Sequence, residues 1–299
     1  LRVILCEAYV TGGVAQVKRA GTSFDAGFHL PAGWGKIATR TSDDRRTSGM
    51  PQYLETETGR RIAYQRRDGK GPGIVFLGGF RSDMTGTKAQ YLDEWALAQG
   101  RAFLRFDYSG HGQSSGDFEA GAIGDWAADA RAAITALTEG PQILVGSSMG
   151  GWISLLLARD MGQRVAGLVT IAAAPDFTED SMWQGFDADQ RAVLEEVGKI
   201  ALPSEYGDPL VITRRLIEDG RDNLVLRAPL SLPFPVRMLQ GTADADVDQS
   251  VALRLLEHAS GDNIRLTLVK GADHRFSDPA CLDLIAAAIA EVTADAAQG

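Results

Sequence analysis

From residue 50 onward, short apolar runs alternate with helix-length stretches whose apolar positions recur every three to four residues. Tyr53 to Thr56 and Ile62 to Gln65, separated by Thr58-Gly59, predict an antiparallel opening hairpin. Further runs predict buried strands at Ile74 to Leu77, Ala102 to Asp107, Ile143 to Val145, Val165 to Ile171, Val236 to Leu239 and Ile264 to Val269. Between them, Lys88 to Ala98, Asp125 to Leu137, Gly151 to Arg159, Val247 to Glu257 and Pro279 to Val292 carry the spacing of amphipathic helices. Buried strands alternating with helices mark βαβ units, so the expected class is α/β, with a mostly parallel central sheet of about eight strands flanked by helices. The alternation breaks once. Asp176 to Pro235 is too long for a simple connection, and Trp183, Phe186, Tyr206 and several prolines predict a small helical lid insertion over about 176–234.

Residues 1–49 read differently. They hold seven Lys/Arg against four Asp/Glu and show no sustained period, whereas the remainder holds 23 basic against 35 acidic groups. The expectation is that folding begins near Met50, the earlier segment being a disordered tail, a targeting extension or sequence upstream of the true start, and that residues 50–299 form one domain. With 299 residues and 44% hydrophobic content, the chain has material for a large core. A net charge of −9 argues against nucleic acid or an anionic membrane as the main partner, because clustered Lys and Arg hold both. No uncharged apolar run approaches the roughly 18 to 20 residues that cross a bilayer, so integral membrane association is not expected. Cys6 and Cys281 form neither a disulfide framework nor a CxxC motif.

The candidate chemistry centres on Gly146-Ser147-Ser148-Met149-Gly150, a G-x-S-x-G run directly after an apolar strand and before a helix. A serine on such a bend sits in a strained conformation, and glycines two residues away on either side leave it room. Only Ser148 fits, since Ser147 would have Val145 and Met149 in those places; Ser147 is read as structural. The plainer alternative is a Gly-Ser turn with Ser148 as a helix N-cap.

A serine hydroxyl needs a base to become a nucleophile, and histidine has a suitable reference pKa of about 6.5. Four histidines are present. His29 lies in the leader and His258 in a predicted helix. His111 sits in the loop Asp107-Tyr108-Ser109-Gly110-His111-Gly112 and is the one serious competitor. His274, after the last strand, falls at the carboxyl edge of the sheet where Ser148 must stand, and is preferred. The acid that orients the imidazole is expected to be Asp244, in the loop after the preceding strand, with Asp246 as the alternative. The run Asp244, Asp246, Asp248 also suggests a calcium loop, but its sixth position is Gln249 instead of Gly and its twelfth Leu255 instead of Glu, so no metal is expected. The order Ser148, Asp244, His274 is the one found in α/β-hydrolases.

Attack would leave negative charge on the former carbonyl oxygen, where one preset N–H donor contributes about 2.7 to 4 kcal/mol. The Met149 N–H follows the nucleophile at a helix start, where the helix dipole favours an anion. The second expected donor is the Phe80 N–H, in the Gly78-Gly79-Phe80 loop; a bare tight turn is the alternative there. Gly110-x-Gly112 lacks a glycine at 115 and no GxxxxGK[ST] occurs, so no cofactor is expected.

Three stretches carry a family resemblance: Met84-Thr85-Gly86-Thr87-Lys88-Ala89, Arg105-Phe106-Asp107-Tyr108-Ser109-Gly110 and, most specifically, Gly140 through Trp152. Over residues 72 to about 290 the chain resembles the α/β-hydrolase-domain subgroup that contains the mitochondrial palmitoyl-protein thioesterase, also described as an acyl-glucuronide esterase, and its bacterial relatives. The resemblance implies the α/β-hydrolase fold, transfers that subgroup's triad onto Ser148, Asp244 and His274, and implies hydrolysis of small-molecule acyl esters or thioesters, S-acylated protein among them. It implies a cytoplasmic location in a bacterium, or the mitochondrial matrix in a eukaryote. The spacing of residues alone gives only an acyl hydrolase. Competing readings are a serine peptidase or C–C bond hydrolase of the same fold and, from another class, a non-catalytic hydrolase-fold binding protein.

Overall fold

The computed structural model describes residues 51–203 and 209–298. The expectations for residues 1–49, and Tyr206 in the insertion, lie outside the described residues.

In chain order the strands are β1 (Gln52–Glu55), β2 (Arg61–Arg67), β3 (Lys70–Leu77), β4 (Arg101–Phe106), β5 (Gln142–Ser147), β6 (Val165–Ile171), β7 (Lys199–Leu202), β8 (Leu210–Thr213), β9 (Leu230–Ser231), β10 (Val236–Gly241), β11 (Ala259–Ser260) and β12 (Ile264–Val269). The helices are α1 (Thr87–Ala98), α2 (Ile123–Leu137), α3 (Met149–Asp160), α4 (Ala188–Val197), α5 (Arg214–Asp222), α6 (Gln249–His258) and α7 (Pro279–Ala296). Eight strands form the central sheet in the order β1-β2-β4-β3-β5-β6-β10-β12. The β1–β2 hairpin and the β2–β4 pair are antiparallel; every pair from β4 to β12 is parallel. This is the α/β architecture that the alternation of elements predicts, a mostly parallel sheet of eight strands.

The period-2 pattern of the strands explains the two-sided core. Ile74, Phe76, Ile143, Val145, Val169 and Ile171 face the layer of α1 and α7, where Leu92, Ile285 and Ile289 are fully buried. Val75, Leu77, Leu144 and Leu168 face the opposite way, toward Trp126 of α2 and Trp152 and Leu155 of α3. Because the central strands are covered on both faces, they read in sequence as continuous apolar runs.

The insertion between β6 and β10 holds a π-helical segment at Thr178–Trp183, then α4 and α5, together with an antiparallel β7–β8 pair that adds to the helices expected there. Helix α4 starts at a capping box in which Asp187 accepts from the Gln190 N–H and Gln190 from the Asp187 N–H. The insertion is closed on itself at its base and tied to the body by a tryptophan. Buried Asp176 accepts from the Val225 and Leu226 N–H groups at 2.8 and 3.0 Å and pairs with Arg227 at 2.6 Å. Trp152 of α3 donates to the Asn223 carbonyl at 3.0 Å.

Candidate active site

The parallel strands end together, and the loops beyond β3, β5, β10 and β12 carry every site residue expected from sequence, as the carboxyl edge of an open α/β sheet should. β5 stops at Ser147, α3 begins at Met149, and Ser148 makes the bend between them with φ +54° and ψ −117°. That left-handed conformation is costly for a residue with a Cβ. It is held by the Ser148 N–H donating to the Ile171 carbonyl at 2.9 Å and by the Ser148 carbonyl accepting from Gly151 and Ala174. The flanking glycines are sterically required: a Cβ on Gly146 would stand 2.3 Å from the Gly150 carbonyl oxygen, and one on Gly150 would stand 2.1 Å from that of Leu77. Ser147 is buried at the end of β5, in keeping with a structural part.

The acid and base loops are joined to one another. Ala243 N–H donates to the Ala272 carbonyl at 3.0 Å, Gly271 N–H to Thr242 Oγ1 at 2.9 Å, and Gly241 lies so close to Ala272 that a Cβ there would meet its carbonyl oxygen at 2.2 Å. The result is a hydrogen-bonded line. His274 Nε2 lies 3.2 Å from Ser148 Oγ, and His274 Nδ1 lies 2.9 Å from Asp244 Oδ2. Ser148 and His274 are buried and the Asp244 side chain is wholly shielded.

Asp244 is fully satisfied. Its Oδ1 accepts from the Asp246 and Val247 N–H groups, and its Oδ2 from Gln240 Nε2 and His274. Burial pushes its carboxyl up, but the His274 bond and charge, with the two N–H donors, outweigh this and hold it below the ordinary carboxylate range. Asp246, the alternative acid, contributes its N–H to Asp244, and burial raises its own carboxyl. One ligand atom each from Asp244, Asp246 and His274 lie within 4.8 Å of one another, a set that a divalent ion could span. Binding one would require breaking the bonds that Asp244 already makes, and three groups fall well short of the six to eight oxygens of a calcium site.

His111, the competing base, is occupied elsewhere. Its Nε2 accepts the Arg81 N–H at 3.2 Å, its Nδ1 lies 3.2 Å from the Ser109 carbonyl, and its ring packs edge-on against Tyr108, Phe118 and Trp126. Burial pushes its pKa down to about 4, which keeps it neutral and able to accept. Arg81 has φ +59°, so His111 steadies a strained turn directly after Phe80. The same turn is tied further on by Asp107, whose Oδ1 accepts the Met84 N–H at 2.6 Å.

Among the described residues the Phe80 N–H has no protein partner, and Met149 as the first residue of α3 has no carbonyl one turn earlier to receive its own. Phe80 and Ser148 line one small apolar cavity with Ala174, Phe177 and Met182, of about 10 Å³, room for a single water. Reasoning from the sequence missed Gln240, whose amide donates to Asp244 from the end of β10, and the part of His111; neither has a short-range signature. No helix among the described residues is long and apolar enough to cross a membrane.

Residues 74–210 match the family described as serine aminopeptidase, S33. The chain is 35% identical over 226 residues to the mitochondrial palmitoyl-protein thioesterase ABHD10 of Bos taurus, covering 75% of this chain and 74% of that protein. The crystal structure of an Agrobacterium vitis S4 protein described as a hydrolase superposes with a TM-score of 0.78 at 41% identity, over 81% of this chain and 98% of the other. The α/β-hydrolase domain-containing protein 10 from mouse gives 0.75 at 32% identity, over 81% and 97%.

Proposed function

From the premise that the chain belongs to the α/β-hydrolase family, we propose that it is a serine hydrolase cleaving carboxylic esters or acyl thioesters through an acyl-enzyme on Ser148. The observation that carries this reading is the hydrogen-bonded line from Ser148 Oγ through His274 to Asp244, assembled from positions 126 and 30 residues apart. Ser148 Oγ attacks the acyl carbonyl carbon while His274 Nε2 takes its proton. Asp244 keeps the other ring nitrogen protonated and faces the imidazolium that forms. The oxyanion is received by the Phe80 and Met149 N–H groups. Collapse of the tetrahedral intermediate expels the alcohol or thiol, which leaves with the proton from His274. A water then gives a proton to His274 as it attacks the acyl carbon, and on collapse His274 returns that proton to Ser148 Oγ as the acid leaves.

The insertion over about 176–234 acts in this reading as a lid, because Phe177 and Met182 close the cavity at Ser148. The palmitoyl-thioesterase relatives favour acyl thioesters, S-acylated protein among them, and their mitochondrial location favours a matrix-type compartment in a eukaryotic setting. The S33 match favours one second reading, cleavage of a peptide bond by the same residues. A fluorophosphonate probe should label wild type at Ser148, and Ser148→Ala should abolish both labelling and turnover with the fold intact. Unchanged turnover in that variant refutes the mechanism. Matched ester, thioester and aminoacyl-amide substrates separate the two readings: faster turnover of the amides would favour the peptidase.

A further inference from the structure

We infer that Lys88 is a positioning residue for His274, and this rests on the reading of His274 as the general base. Lys88 is in the first turn of α1, the helix that follows the Gly78–Phe80 loop, and it is only 8% exposed. Its Nζ donates to the carbonyl of Arg275, 187 residues away, at 2.5 Å, and to Ser277 Oγ at 3.3 Å. Both acceptors are neutral. Burying an ammonium costs several kcal/mol unless its hydrogen bonds are good, and a charged partner would be the usual compensation. Here the charge is placed on the backbone of the residue that directly follows His274.

The loop it holds needs an outside support. Between Gly271 at φ +80° and Phe276 at φ +50°, the chain turns through two left-handed residues, one of them an aromatic with a Cβ. Within the loop Phe276 N–H is met by Asp273 Oδ1 at 3.0 Å, and Ser277 Oγ also donates to the Arg275 carbonyl. The Arg275 carbonyl therefore gathers two donors, one of them a cation carried by a helix of the core. With that carbonyl fixed, the Arg275–Phe276 peptide cannot rotate, and the backbone that directs the His274 imidazole toward Ser148 is held one residue beyond the base. Lys88 thus ties the helix behind the Phe80 turn to the loop bearing the base, so that the two stay in register as charge develops between them.

The test compares Lys88→Met, which keeps the stem and removes the donor, and Lys88→Gln, which keeps a shorter donor, with His274→Ala and the Lys88→Met/His274→Ala double variant. Thermal midpoints, kcat and KM for an activated acetate ester, and the second-order rate of fluorophosphonate inactivation are measured for each. Lys88→Met should lower kcat and the inactivation rate about 10- to 100-fold with KM within about twofold, and Lys88→Gln should keep more of both. In the His274→Ala background the same change should alter the residual rate by less than about twofold, because the group it acts through is gone. Wild-type kcat in a folded Lys88 variant, or an equal loss in both backgrounds, overturns the inference. If Lys88→Met fails to fold, Lys88→Gln alone is compared in the two backgrounds by the same criteria. A His274→Ala enzyme with wild-type turnover would overturn the base assignment instead, and it is read without any Lys88 variant.

Discussion

Two acids lie within reach of one imidazole, and hydrogen bonding separates their parts. Asp244 binds the ring and accepts four donors, whereas Asp246 offers Asp244 its backbone and keeps a carboxyl that burial raises. Asp244→Asn should therefore cost up to about 10⁴-fold in kcat, while Asp246→Asn stays within about tenfold. The opposite order, measured on one ester, would transfer the role to Asp246. His111 gives the protein a dependence on acidity apart from catalysis. Its folded pKa of about 4 lies below the unfolded value near 6.5, so between these values the unfolded chain binds more protons. Its contribution is complete above pH 6.5 and falls away as pH drops toward 4, by about 3 kcal/mol at most. Asp107, raised by burial to about 6, works the other way: its contribution is complete below its unfolded value near 3.8 and is lost as pH rises through 6. Urea midpoints measured from pH 7 to 4.5 should fall less steeply in His111→Gln than in wild type, since Gln keeps an acceptor for Arg81 and takes up no proton.

At the scale of elements, the bend at Ser148 depends on how closely α3 approaches β3. Gly150→Ala would drive a methyl to 2.1 Å from the Leu77 carbonyl oxygen, so either the bend or the turn after β3 must shift. Loss of more than about 3 kcal/mol, or failure to express in soluble form, is expected, whereas Gly140→Ala, with open space at its Cβ but φ +65°, should cost only about 1 kcal/mol by urea unfolding. The π-helical segment places Met182 in the cavity beside Ser148, and an unbranched thioether yields more readily than a ring. Met182→Ala should raise the kcat/KM ratio of octanoyl to acetyl ester several-fold; an unchanged ratio would remove the lid from control of acyl length. The main elements were legible because each carries its period over enough residues, as in Val165–Ile171 or Pro279–Ala296. The β7–β8 pair was not, because four residues such as Lys-Ile-Ala-Leu are too few to tell a strand from a helical turn. Helix α3 begins two residues earlier than its apolar spacing suggests, because Met149-Gly150 enters it from the bend rather than through apolar periodicity.

Across the whole molecule, the positions of Ser148, Asp244 and His274 were legible because topology confines them: chain order and the carboxyl edge leave few choices. The supports were not. Lys88 meets acceptors 187 and 189 residues away, Gln240 meets Asp244 only through the fold of the loop after β10, and the loop of His111 looks alike for a base or a structural ring. Among the described residues, 51–203 and 209–298 supply the central sheet, both core layers and every candidate site residue. A chain lacking residues 1–49 should then keep its thermal midpoint within about 2 °C and its turnover on a small ester, with a drop of ten degrees by calorimetry counting against this. The bend at Ser148 also limits redesign. With glycine obligatory on both sides and backbone packed against it, that segment offers a protein engineer no adjustable position, while the insertion contributes the side chains around the reacting group from a separate stretch of chain. Altered selectivity can thus be sought by diversifying Phe177 to Trp183 in a library that leaves the chemistry untouched.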